Sequence, residues 1–200
     1  MSNWEQELPD WQRNQGAAVF CQMGIKEGAR IIDFGCGPGR YTIAAAYAAR
    51  DGGEVFAFDT SHYRLAEAAS AAEKMGLGNV KMIKADGSGS LTFAEDASVD
   101  MVMIYDLIHQ LGSAQETFLR ETMRVLKSGG VLSVLPFHIN GKALDRLFEK
   151  ISSYGFDNGV RYPNAGLHFE MHEFSYGSEG HIKDIETGDI FNFRKTGDLL

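Results

Sequence analysis

Apolar residues in this chain fall into two patterns that alternate along its length. Short, nearly unbroken apolar runs end at Asp33 and recur at 54–59 (EVFAFD), 80–86 (VKMIKAD), 99–106 (VDMVMIYD) and in the later part of 124–135 (RVLKSGGVLSVL). Runs of that length and continuity predict strands buried on both faces. Between them, apolar residues recur every three or four positions, which predicts one-faced helices. Such a helix follows residue 39 and runs to about Arg50. Another carries Leu65, Ala68, Ala69, Ala72 and Met75, with Ser61 able to cap its start and Gly76 to stop it. A third carries Phe118, Leu119, Thr122, Met123 and Leu126, with Ser113 and Glu116 spaced as a capping box and an end near Gly129-Gly130. Leu144, Leu147, Phe148 and Ile151 mark a further helix. Strands alternating with helices, with no obvious linker, describe an α/β chain whose parallel sheet is covered on both sides.

The last part of the chain changes character. Leu167, Phe169 and Met171 alternate with His168, Glu170 and His172, which predicts a half-buried strand with a solvated polar face. Residues 190–194 (IFNFR) predict the final strand. His168, Glu170 and His172 have a spacing that can bind zinc, yet such a pattern is more often a solvated polar face, and no metal is assigned.

Composition narrows the class. Two hundred residues suffice for one α/β domain, and a net charge of −8 leaves no broad basic field for nucleic-acid phosphates. Two cysteines exclude a disulfide framework and suit a reducing cytosol. The start, MSNWEQEL, has neither the basic nor the apolar part of a signal peptide, and no apolar run approaches the ~20 residues of a membrane helix. The expectation is a cytoplasmic protein that binds neither nucleic acid nor membrane; its oligomeric state stays open.

The chemistry concentrates at 31–42 (IIDFGCGPGRYT), where Gly35, Gly37 and Gly39 stand on alternate positions between a strand and a helix. Glycine lets backbone N–H groups touch a ligand, and the following helix aims its positive end at the same place. A dinucleotide fingerprint needs a small third residue where this chain has Arg40, which disfavours a nicotinamide-dependent oxidoreductase. Asp33, two residues before the first glycine, would repel a pyrophosphate but suits a ligand bearing an ammonium. S-adenosylmethionine has that ammonium, a ribose and an adenine, and no phosphate.

These residues resemble the first motif of the class I S-adenosylmethionine-dependent methyltransferases, and the later runs resemble the family's other motifs over roughly residues 25–140. The resemblance implies a Rossmann-like doubly wound sheet, mostly parallel with an antiparallel edge strand near the C-terminus. It implies one domain: an N-terminal helical lid segment (1–24, with Trp4 and Trp11), a cofactor-binding core (25–140), and a C-terminal helix with edge strands (141–200). Asp59 lies 20 residues past Gly39 (59 − 39), where such a fold places an acid on the ribose hydroxyls. Asp86 and Gly87 fall where relatives read the adenine edge. The implied cofactor set is Asp33, Gly35, Cys36, Gly37, Gly39, Tyr41, Asp59, Thr60, Asp86, Gly87 and Tyr105.

Methyl transfer from a sulfonium is an in-line displacement with a neutral leaving group, so the protein contributes mainly position and exclusion of water. A base is needed only for a hydroxyl or carbon-acid acceptor. His109 and His138, after the fourth and fifth strands, are the candidates, with Tyr105 and Asp106 beside them; packing histidines are the plain alternative. The chain lacks an Asn-Pro-Pro-Tyr-like sequence and a Pro-Cys pair, which sets aside two nucleobase-methylating subclasses and leaves a small molecule or a protein side chain as acceptor. A non-catalytic binder of the cofactor or its demethylated product would need the same residues, so the sequence does not separate the two.

Overall fold

The structure is a computed structural model that describes residues 4–171 and 182–196. Its strands are β1 (Arg30–Phe34), β2 (Glu54–Asp59), β3 (Val80–Lys84), β4 (Val99–Tyr105), β5 (Leu126–Leu135), β6 (Val160–Met171) and β7 (Ile182–Arg194). Among the described residues these form one seven-stranded sheet in the order β3-β2-β1-β4-β5-β7-β6. The first five run parallel, β7 pairs antiparallel with β5, and β6 pairs antiparallel with β7. The expected antiparallel edge is therefore a pair of strands, and the later one in sequence lies inside the earlier.

The helices are α1 (Trp4–Trp11), α2 (Ala17–Gln22), α3 (Arg40–Ala49), α4 (His62–Lys74), α5 (Ala114–Val125) and α6 (Gly141–Ser153), with a π-turn joining α1 to α2. Strand residues alternate faces, so the sequence sorts the two layers. Ile31, Val55, Met101 and Met103 pack against α2 and α3, and Ala57 meets Leu65 of α4. Ile32, Phe34, Phe56, Phe58, Val102 and Ile104 pack against α5 and α6. Because both faces are covered, the strands read as continuous apolar runs. The N-terminal segment lies on α3: Gln12 Nε2 donates to the Arg40 carbonyl at 2.8 Å, and Trp11 meets Tyr41 edge to face with ring centroids 5.9 Å apart.

Local signals held at α4, where the Ser61 hydroxyl accepts from Arg64 N at 3.3 Å and Gly76 turns with φ of 67°. They failed at α5. Ser113 has helical angles and makes no side-chain cap, because the chain is already turning through residues 108–110 and Ala114 N finds the Leu111 carbonyl. Nor does α5 reach the glycine pair. It ends at Val125 and Leu126 pairs at once with Val99, so Gly129 and Gly130 lie in an irregular stretch of β5 before pairing resumes at Val131. Tertiary pairing overrode helical periodicity there.

Phe118 is fully buried on α5, its ring centroid 4.6 Å from that of Phe34 at the carboxyl end of β1. Phe118→Ala is expected to cost about 3–5 kcal/mol in urea unfolding by transfer and cavity terms together; a loss below ~1 kcal/mol would show that this face of the core collapses around the gap.

Candidate active site

The strand order reverses between β1 and β4, and in open α/β sheets the crevice outside the carboxyl ends of the strands at such a point is where ligands bind. The glycine turn occupies that position. Gly35 N and Cys36 N donate to the Phe58 carbonyl at 2.7 and 3.2 Å, and Gly37 N donates to Asp59 Oδ2 at 2.9 Å. Asp59 Oδ1 accepts from Ser61 N at 2.8 Å. Asp59 thus fastens the turn and the start of α4 together, a structural duty that its spacing alone did not reveal. Gly39 has φ of 85°, and a Cβ there would stand 2.9 Å from Ala68 Cβ and 3.1 Å from its Cα. The third glycine therefore serves close packing of the α3 start on α4.

Asp33 is 3 % exposed and accepts from Thr42 Oγ1 at 2.6 Å. Burial pushes its carboxyl up to about 7, the Thr42 hydroxyl pulls it down, and the nearby Asp59 charge raises it further. Burial, followed by the same two carboxylates, also raises the Cys36 thiol, which favours its neutral form.

Two adjoining hollows flank Gly35, Leu107 and Gln110. The larger, about 520 Å³, is lined by Asp33, Cys36, Gly37, Tyr41, Tyr105, Asp106 and His168 among others. The smaller, about 240 Å³, is lined by Phe34, Phe58, Asp59, Thr60, Gly87 and Leu111 among others. Together they form a trough with an apolar, aromatic end and a polar end. A Gly35 Cβ would stand 2.2 Å from Leu107 Cδ2, so glycine lets that side chain lie across the turn.

The sequence candidates divide between the two hollows. Asp33, Gly35, Cys36, Gly37, Tyr41 and Tyr105 line the larger; Gly35, Asp59, Thr60 and Gly87 line the smaller. Gly39 stands behind them as the α3 cap. Asp86 is exposed and bends back on Ser88, whose N and Oγ donate to Oδ1 at 2.9 and 2.6 Å and hold the carboxyl below its ordinary range. The Tyr41 hydroxyl donates to the Leu167 carbonyl at 2.7 Å, and Tyr105 pairs with Ser133 at 2.8 Å; burial raises both phenols. These tyrosines brace the wall as neutral groups.

The two candidate histidines come together beside Asp106, with ring centroids 5.3 Å apart, and neither is among the residues that line the two hollows. His138 Nε2 lies 3.4 Å from Asp106 Oδ1, and His109 sits on the exposed turn that follows β4. A third histidine joins them. His168 Nδ1 lies 2.9 Å from Asp106 Oδ2, and its ring stacks on Phe137 at 4.0 Å between centroids. This corrects the expected solvated polar face of β6, because the His168 side chain is 15 % exposed and turned onto the end of β4. His172 lies outside the described residues, and of Glu170 only the backbone is described. Leu107 and Gln110, shared by both hollows, were also missed; no local pattern marks a loop residue as a pocket divider.

The methyltransferase domain family matches residues 25–175. A demethylmenaquinone methyltransferase of Geobacillus kaustophilus is 34% identical over 113 residues, 56% of this chain and 47% of that protein. A probable cobalt-precorrin-6B C(15)-methyltransferase of Saccharolobus solfataricus is 28% identical over 89 residues, 44% of this chain and 45% of that protein. The chain spans about half the length of these curated relatives. An S-adenosylmethionine-dependent methyltransferase from Aquifex aeolicus shares the fold, with a TM-score of 0.68, 19% identity and 92% of each chain covered. The chain belongs to the methyltransferase domain family, in the class I, S-adenosylmethionine-dependent fold.

Asp59→Ala removes an acceptor from the glycine turn and from the start of α4. S-adenosylhomocysteine binding, measured by calorimetry, is expected to weaken by roughly 1–3 kcal/mol; an unchanged Kd in a folded variant would remove Asp59 from the site.

Proposed function

We propose that this protein transfers the methyl group of S-adenosylmethionine to a small-molecule acceptor held at the polar end of the trough. The observation that carries this reading is the glycine turn, with the buried Asp33 at its root and Asp59 fastened beneath it, opening onto a Tyr105–Asp106–His168 wall. In this reading the adenine lies in the smaller hollow against Phe58 and Leu111, beside Gly87. The ribose hydroxyls meet the Asp59 carboxylate, and the methionine ammonium faces Asp33. The sulfonium then points toward Asp106, with no phosphate for either acid to repel. As the acceptor attacks, its new bond to the methyl carbon forms while the carbon–sulfur bond breaks and its electron pair returns to sulfur as a neutral thioether. The chain's contribution is alignment and shelter from water.

A small acceptor is supported by two observations. The larger hollow, about 520 Å³, is of small-molecule size with Arg40 and Arg64 in its lining, and the named relatives act on a demethylmenaquinone and a corrin precursor. Incubating the protein with tritium-labelled cofactor and separate pools of metabolites, RNA and proteins tests it. Label is expected in the metabolite pool; label confined to RNA or protein, or no transfer to any pool, would overturn the reading.

The ammonium contact has a pH signature. A carboxyl raised from 3.8 to about 7 by folding contributes stability that is fully present below 3.8 and lost as pH rises through about 7. A bound cation favours the ionised form, so below about 7 binding must expel the proton. Affinity for S-adenosylhomocysteine is expected to drop by up to roughly tenfold for each pH unit below about 7, and to level off above it. Asp33→Asn is expected to flatten this dependence. A wild-type affinity flat between the two limits would separate Asp33 from the ammonium.

A further inference from the structure

We propose that Asp106, His138 and His168 form a binding site for a first-row divalent transition cation of the zinc type, placed where the methyl acceptor enters. Three elements converge to build it. Asp106 follows β4, with its N–H pinned to the Leu135 carbonyl at 2.8 Å and φ of 53°. That left-handed backbone is uncommon for a residue other than glycine and turns the carboxylate across the sheet end. His138 follows β5, and His168 comes from β6 on the antiparallel edge. Among the described residues, one ligand atom from each lies within 4.8 Å of the others.

The separations suit a shared cation. Ligands about 2.1 Å from a tetrahedral zinc stand about 3.4 Å from one another. Asp106 Oδ1 lies 3.4 Å from His138 Nε2 and the other oxygen, Oδ2, lies 2.9 Å from His168 Nδ1, with one atom from each residue within 4.8 Å of the others. The remaining gap requires a small turn of the His138 side chain, which is 51 % exposed. His168 is already fixed, its ring lying flat on Phe137 at an interplanar angle of 9°.

A separate observation points the same way. Asp106 Oδ1 is buried and, among the described residues, makes no hydrogen bond, with His138 Nε2 approaching it at 3.4 Å, and a buried acceptor left unmade is destabilising. A cation bridging Oδ1 and the two imidazoles removes that deficit. Two nitrogens and one carboxylate favour zinc, iron, cobalt or nickel over magnesium or calcium, which prefer all-oxygen sets. Three protein ligands leave a position open, and two of them, Asp106 and His168, line the larger hollow.

Under the methyl-transfer reading, on which this part rests, the open position takes the oxygen of a hydroxyl or enol acceptor. Binding to the cation acidifies that oxygen; its proton leaves to solvent, and the oxyanion attacks the methyl carbon. His138 then serves as a ligand in place of the general base expected from sequence.

Untagged full-length protein, stripped with chelator and loaded with S-adenosylhomocysteine, is titrated with zinc chloride by calorimetry and with cobalt chloride by visible absorption. One equivalent per chain is expected, with the visible bands of a low-coordinate cobalt–imidazole centre and no comparable binding of magnesium. His168→Ala and His138→Ala are each expected to weaken binding at least tenfold. His138 is half exposed, so its replacement keeps the fold even should His168→Ala unfold. No stoichiometric binding, or equal binding in the His138 variant, overturns the proposal. Neither readout needs an acceptor, so a failed cation site leaves the methyl-transfer reading standing. Transfer that is insensitive to chelator yet lost in His168→Ala would assign these residues to proton transfer instead, and would also overturn the cation.

Discussion

The carboxyl ends of β1 and β2 are laced together by three backbone donors of the glycine turn, and the rest of the site depends on that lacing. Two of them close on the Phe58 carbonyl and the third on Asp59. The parallel pairing of β1 with β2 sets the distance, and Asp59 spends one oxygen on the turn and the other on the start of α4. With both held, the turn cannot drift from the crevice where the strand order reverses. Gly39 completes the arrangement, since its missing side chain is what lets α3 begin against Ala68.

That frame puts two carboxylates, Asp33 and Asp59, near one another under a hollow large enough for a cofactor. Burial makes Asp33 reluctant to ionise in the free protein, and the arrival of a positive ligand reverses the preference. Under the proposed reading such a site discriminates by charge: an ammonium draws the proton from Asp33, whereas a diphosphate gains nothing there and meets the Asp59 carboxylate. At the other end, Tyr41 and Tyr105 are braced by Leu167 and Ser133, so neutral phenols hold that wall, and in the proposed reading the groups left to meet an acceptor are Asp106 and the histidines.

Much of this was legible in the chain because it is local. The glycine turn, its Asp33 and the acids that end the strands are each defined within a few residues, and strand burial writes itself as unbroken apolar runs. What escaped was set by pairing across the sheet. Ser113 and Glu116 look like a cap, yet the preceding turn had already satisfied the helix start. The α5 periodicity runs into Leu126, yet pairing with Val99 claims that residue for β5. His168 reads as a surface residue of an alternating strand until the antiparallel edge folds β6 against the end of β4. No sequence rule places a late strand's histidine on an aspartate that follows β4; the β5–β7–β6 pairing does.

In the proposed function the trough holds S-adenosylmethionine with its amino-acid end at Asp33 and its sulfur toward Asp106. A crystal structure of the protein with S-adenosylhomocysteine bound tests this most directly. The homocysteine amino group is expected beside the Asp33 end of the larger hollow, the ribose on Asp59, and the sulfur facing the Asp106–His168 wall. A ligand bound elsewhere, or one seated in the trough with its sulfur turned toward α4, would contradict it.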